Sequence, residues 1–363
     1  MTTEFDKVVA ERLNLAKCPE DVFGDAATAD TVKATFKQML VIIHPDKFHG
    51  TPHERTADKA MAVLTHLKDE ATRKLKEGTY GDRKISPPAP SLDLDVKVGK
   101  KLYRIKQKLR EEEFCDIYAC ESDGEVMDFK ATQGPAENDL LDNEIKILKH
   151  LYPDEQADEK FYRYLPKVLD SFLLKGKVNR RAAIFPQINT YRSFADVLRV
   201  YPKGIDFRDM VWMLKRTLIG LGFAHSKGVV HGAIVPTYVF IEPKTHGAKL
   251  TGWYYATQGK GHIKAIVSDY EDYYPPEVFD KKTPTAATDI YMAAKCAIAL
   301  IGGNVKTGAM PDSVPAPIQG FLNGSAINAV NKRPQDAWDL HDEFDALLAK
   351  VVGKRAYREF KIP

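Results

Sequence analysis

The hydrophobic period of this chain changes once, and it does so across a cluster of prolines. Up to about residue 77, apolar side chains recur every three or four positions, the spacing of a helix face. From about residue 101 they alternate with polar ones, the spacing of a strand. Between the two lies Glu77-Gly78-Thr79-Tyr80-Gly81-Asp82-Arg83-Lys84-Ile85-Ser86-Pro87-Pro88-Ala89-Pro90. Proline fixes its own φ and disfavours helix in the residue before it, so this stretch reads as an extended, stiff spacer. A chain of 363 residues also exceeds one ordinary core. The expected division is a helical domain over residues 1–80, a linker over 81–100 and a second domain over 101–363.

Three amphipathic helices are expected before the spacer. Phe5, Val9 and Leu13 share one face; Val32, Phe36, Met39, Leu40 and Ile43 form a second stripe; Ala60, Leu64, Leu67, Ala71 and Leu75 form a third. After the spacer, Phe114-Cys115-Asp116-Ile117-Tyr118 and Val126-Met127-Asp128-Phe129 alternate, and Ser122-Asp123-Gly124 supplies a hairpin turn. A helix follows at about residues 137–151, then strand-like runs near 168–174 and 181–186, then long helical patterns from Asp206. This order predicts an α+β protein: an all-α first domain, then a small antiparallel sheet lobe carrying one helix, then a larger helical lobe.

The formal net charge of +3 is too small to imply a general attraction to nucleic acid or an anionic membrane. The longest apolar run, Ile290 to Ile301, is broken by Lys295 and is too short to span a bilayer. No signal peptide is visible. Cys18, Cys115, Cys120 and Cys296 form no CxxC pair, and His44, His49 and His53 lie across a loop with no cysteine in support, so no metal site is expected. Scattered thiols of this kind point to a reducing, cytoplasmic location.

The second helical stripe ends at Ile43, and His44-Pro45-Asp46-Lys47 follows at once. A proline just past a helix end is a stop signal, and it presents His44 and Asp46 on a fixed turn. Lys33 and Lys37 lie on the polar face of the preceding helix. With the loop and third helix beyond, residues 4–80 resemble the J domain of DnaJ-type co-chaperones. The resemblance implies that Lys33, Lys37, His44, Pro45, Asp46 and Lys47 dock on the ATPase domain of a DnaK-type chaperone and stimulate its ATP hydrolysis. Lysines on one face steer toward an acidic surface, and a rigid turn offers a carboxylate to a partner arginine. Gln38 and Ile42 stand where the family usually carries further basic residues, which should weaken that steering.

Residues 101 to about 350 carry a second set of motifs. Val126-Met127-Asp128-Phe129-Lys130 is followed by Asn143-Glu144-Ile145-Lys146, then His231-Gly232-Ala233, Leu250-Thr251-Gly252-Trp253, Tyr274-Pro275-Pro276-Glu277, Thr288-Asp289-Ile290-Tyr291 and Lys332-Arg333-Pro334. Their order and spacing resemble the protein-kinase fold, with Lys130 and Glu144 in the places of the ATP-binding lysine and its partner. The resemblance implies an aspartate at the position of Ala233, a metal-holding asparagine at Tyr238 and a metal-binding aspartate at Gly252. None of these side chains can do that chemistry. The phosphate-covering loop is also replaced by Lys108-Leu109-Arg110-Glu111-Glu112-Glu113-Phe114, which has no glycine and three consecutive carboxylates. Phosphoryl transfer depends on metal neutralisation and positioning, so the second domain is expected to be a pseudokinase. It is expected to have no catalytic residues and no cofactor. Lys130 and Glu144 leave ATP binding open, and the glycine-free loop disfavours it.

These readings predict a co-chaperone that recruits a DnaK-type chaperone while the second domain binds a client or regulatory protein. The tyrosines Tyr254, Tyr255, Tyr270, Tyr273 and Tyr274 are candidates for an aromatic contact surface. The alternative is an atypical phosphotransferase or nucleotidyltransferase with rearranged ligands.

Overall fold

The computed structural model describes residues 5, 8–13, 16, 18–49, 51, 53–81, 94–152, 158–176, 178–353 and 357–362. The chain forms two compact units, Met1–Ser91 and Leu92–Pro363. Of the residues read as a linker, 82–93 lie outside the described ones.

The described elements of the first unit are all helical: α1 (Val8–Leu13, of π type), α2 (Pro19–Phe23), α3 (Ala29–Ile43), a single 3-10 turn (Pro45–Lys47) and α4 (Glu54–Glu77). Thr28 starts α3 by accepting the Thr31 amide on its hydroxyl, which satisfies one of the orphan donors of the first turn. Gly78 ends α4 in the left-handed conformation, at φ 70°, and Thr79 N–H then bonds Lys74 O at 2.9 Å. The expected stripes meet in one core: Phe5, Val9 and Leu13 with Val32, Met39 and Ile43, and with Ala60, Leu64, Leu67 and Ala71. The sequence stripes missed α2, a helix of only five residues. It is tied down by a buried ion pair in which Lys74 Nζ donates to Glu20 Oε1 at 2.6 Å. Gly81 N–H reaches the same oxygen at 3.2 Å. Burial works against the Glu20 charge, but these donors outweigh it and hold the carboxyl below its usual range.

The second unit is α+β. Strands β1 (Leu94–Val98), β2 (Lys101–Glu111), β3 (Cys115–Ser122), β4 (Glu125–Thr132), β5 (Asp170–Leu174) and β6 (Arg180–Pro186) form one six-stranded antiparallel sheet in the order β1-β2-β3-β4-β6-β5. Helices α5 (Asn138–Leu151) and α6 (Glu159–Tyr162) separate β4 from β5. Beyond the sheet come β7 (Arg192–Ser193), α7 (Phe194–Val200), α8 (Phe207–Ser226), β8 (Val229–Val230), β9 (Val239–Glu242), β10 (Gly247–Leu250) and β11 (Thr257–Gln258). Helices α9 (Pro276–Phe279), α10 (Ala286–Leu300), α11 (Ala316–Ser325) and α12 (Ala337–Val351) complete the unit.

This architecture corrects the expected fold. A bilobal protein-kinase-like arrangement with a small sheet lobe is overturned by the six-stranded, barrel-like antiparallel sheet. The physical reason begins at β1, in residues that had read as the end of a spacer. Leu94, Val96 and Val98 alternate with Asp95 and Lys97, and all five residues pair with β2, adding a sixth strand at the edge. Strand β2 runs for eleven residues, and its pairing with β3 shifts register between Ile105 and Lys108 and again before Arg110. Such bulges bend a strand and increase its twist. The sheet therefore coils around a core of its own, built on Tyr103, Ile105, Cys120, Met127, Phe129 and Ile184. The larger core lies on the other side, where α5, α8 and α10 contribute Leu148, Leu221 and Ile298. No helix among the described residues is long and apolar enough to cross a membrane.

Candidate functional site

In the first unit, α3 runs straight into the turn that carries His44, Pro45 and Asp46. Lys33 and Lys37 lie one helical turn apart on its exposed face, and Val41 continues the same stripe at 62% exposure. The turn is braced from both ends. His44 Nδ1 accepts the Asp46 amide at 3.3 Å, and Lys47 Nζ donates to Val41 O. The Asp46 side chain is 90% exposed, with the His44 ring 3.5 Å from its carboxylate. His44, Pro45, Asp46 and Lys47 thus sit together at the end of α3, with Lys33 and Lys37 further back along its exposed face, and the carboxylate faces water on a braced turn.

In the second unit, strand β4 is buried on both faces. Met127, Phe129 and Ala131 enter the sheet core, while Asp128, Lys130 and Thr132 point to the opposite side, as strand periodicity requires. Lys130 Nζ donates to Glu144 Oε2 on α5 at 2.9 Å and lies 3.4 Å from Glu112 Oε2. Its ammonium also sits 4.4 Å from the centre of the Tyr254 ring. Burial opposes the charge of Lys130, but Glu112 and Glu144 outweigh it, so its pKa is raised. Burial, and then the charge of Glu112, push Glu144 upward against the pull of Lys130.

Glu112 was read from sequence only as one of three consecutive carboxylates in a glycine-free loop. Instead it turns inward: it accepts from the Tyr254 hydroxyl and lies 3.4 Å from Arg110 Nε. Arg110 in turn reaches Asp128 at 3.5 Å. Glu112, Tyr254 and Arg110 had no signal in the linear pattern, because their pairing is set by tertiary contacts across 142 positions for Tyr254 and Glu112 and 18 for Arg110 and Asp128. Arg110, Asp128 and Lys130 line a cavity of about 20 Å³. That is room for one or two waters, and no nucleotide fits it as it stands. Lys249 also lines this cavity, donating to Arg163 O and Leu165 O, and burial lowers its pKa to about 8.

The remaining expected positions converge on the same place. Gly252 precedes Trp253, whose amide donates to Glu144 Oε1 at 3.2 Å. Gly252 has φ 77°, and a Cβ built on it would lie 2.5 Å from the Tyr238 ring. Tyr238 thus fills the volume that a side chain at 252 would need. Ala233 is fully buried beside Ile234 and Val235, so the segment that would have to meet solvent and substrate is apolar core. Lys130, Glu144, Tyr238 and Gly252 are gathered together, closed and filled, with Ala233 in the adjoining core.

The supports around them are also buried. Asp289 accepts the amides of His231 and Gly232 at 2.7 and 2.8 Å and receives His225 Nε2 at 2.8 Å. Arg333 makes a two-pronged pair with Glu277 at 2.6 and 2.8 Å. His231 donates through Nε2 to Thr251 O and accepts the Ala233 amide on Nδ1; burial lowers its pKa to about 4. Of the five tyrosines read as a contact surface, Tyr254, Tyr255 and Tyr274 are buried; Tyr270 and Tyr273 are half-buried.

No protein-family model matches the chain, and no curated protein matches it. Among the described residues there is no cluster of three or more His, Cys, Asp or Glu side chains able to hold a metal ion.

Proposed function

We propose that the chain is a co-chaperone: its first unit recruits and stimulates a DnaK-type chaperone, and its second unit holds a client or regulatory protein. The observation that carries this reading is the Asp46 carboxylate, 90% exposed on a turn braced by His44 and Lys47 at the foot of the Lys33–Lys37 face. A carboxylate fixed in this way loses little freedom when a partner arginine meets it, and the two lysines add attraction to an acidic surface. The second unit is assigned a binding role because Tyr238, Tyr254 and Glu112 fill its cleft. The reading goes with a reducing cytoplasm, in keeping with free thiols at Cys18, Cys115, Cys120 and Cys296.

The test is the ATPase rate of a DnaK-type chaperone with the full chain added, wild type against Asp46→Asn. Stimulation by the wild type and its loss in the variant are expected. Equal stimulation by both would reject the docking mode. A melting curve with ATP, with and without Mg²⁺, checks the second unit: a large metal-dependent rise would favour an enzyme over a binding module.

A further inference from the structure

The second unit contains a cavity that has no part in the reading above. Its volume is about 790 Å³, within the roughly 300–1,000 Å³ typical of small-molecule pockets. Trp212 of α8, His246 of the β9–β10 turn and Tyr357 of the C-terminal segment line it as a row of stacked rings. The Trp212 and His246 rings are 4.0 Å apart and 2° from parallel, and Tyr357 lies 4.7 Å beyond His246. His246 holds its place at φ 54°, a left-handed conformation uncommon for a residue with a side chain. Val211, Ile219, Leu348 and Val352 make the wall apolar.

The charged side chains lining this cavity are all basic. Arg208 pairs with Asp206, Arg358 with Asp209, and Lys215 with Asp345. Arg216 differs: it donates to His246 O at 3.1 Å and to the Tyr164 hydroxyl at 3.3 Å, and it has no carboxylate partner among the described residues. Two of its five N–H groups are thereby used. Trp212 Nε1 is buried without a hydrogen-bond partner among the described residues, although an indole N–H can only donate. A buried donor left unpaired is costly, and among the cations lining the cavity Arg216 stands without a carboxylate partner among the described residues.

The geometry points to a binding site for a small organic anion with a flat aromatic body. Its body fills the apolar part of the cavity beside the ring row. Its carboxylate takes the bonds that Arg216 has left to give. This inference is independent of chaperone recruitment and of the cleft around Lys130.

The test is a calorimetric titration of the full chain with 1-naphthoate, 1-naphthalenemethanol and inorganic phosphate. Naphthoate is expected to bind about tenfold more tightly than the neutral alcohol, and phosphate is expected not to displace it. Arg216→Gln, which keeps donors and removes the charge, should weaken naphthoate about tenfold. Val352→Trp, which fills the cavity, should abolish binding; Ile219→Phe replaces it if circular dichroism shows that the tryptophan variant is unfolded. No binding at millimolar naphthoate, equal affinity for the alcohol, or undiminished binding to the filled variant would each overturn the site. Asp46→Asn should bind naphthoate like the wild type, so failure here and failure of the chaperone reading are told apart.

Discussion

In the first unit the Asp46 carboxylate stands in water at the end of α3, whereas in the second unit Glu112 and Glu144 are shut in around Lys130. The same chemical groups are put to opposite use. An exposed charge contributes little to folding, because water solvates it equally well in the unfolded chain. It is therefore free to be spent on a partner. Enclosed charges are costly to desolvate and are tolerated only as a matched set, so each becomes indispensable to the others. Recognition and support thus separate by solvent access, and a substitution at each site should report which role it holds.

The largest effect is expected at Lys130. Lys130→Ala leaves Glu112 and Glu144 buried without their shared cation and should cost the second unit about 3–5 kcal/mol. Trp212, Trp253 and Trp338 all lie in that unit, so urea unfolding followed by tryptophan fluorescence reads it directly. A loss below about 1 kcal/mol would break the contrast between the two sites. Chaperone stimulation by the variant under folding conditions should be nearly unaltered; a strong loss without unfolding would return a nucleotide role to the cleft.

Acid should act next, through His231. Its folded pKa of about 4 lies below the ordinary 6.5, so between these values the unfolded chain binds the proton and the folded one does not. Stability from this group is complete above about pH 6.5 and falls as pH drops toward 4, by about 3 kcal/mol in all. Unfolding curves from pH 7.5 to 4.5 measure it, and His231→Gln should flatten the slope. A slope unchanged in that variant would assign the acid sensitivity elsewhere.

The smallest effect belongs to Asp46. Asp46→Asn should change the unfolding free energy of the first unit by no more than about 0.5 kcal/mol, read by far-ultraviolet circular dichroism. A larger loss would mean that this carboxylate is structural after all, and the comparison would collapse from its exposed side.

Local periodicity exposed much of this molecule. The stripes through Val32, Met39 and Ile43 and through Leu64, Leu67 and Ala71 became packed helix faces, and the Asp123-Gly124 turn joined β3 to β4. What escaped was set by distant contacts. β1 is an edge strand of five residues close to a proline cluster, and the short alternation of Leu94, Val96 and Val98 with Asp95 and Lys97 was absorbed into the spacer. The coiling of the sheet follows from bulges in β2, which leave no mark in a hydrophobic pattern. At the candidate cleft, it was the resemblance of the motifs that linked Lys130 to Glu144, fourteen residues apart. It could not show that Glu112 would turn inward or that Tyr238 would pack on Gly252.

That last contact works as a ratchet. Bringing an acidic side chain to residue 252 first drives it into an aromatic ring, while shrinking Tyr238 first hollows out the interior beneath it. Each single step passes through a weakened protein, and only a paired exchange avoids the dip. The closed cleft is thus easier to keep than to open.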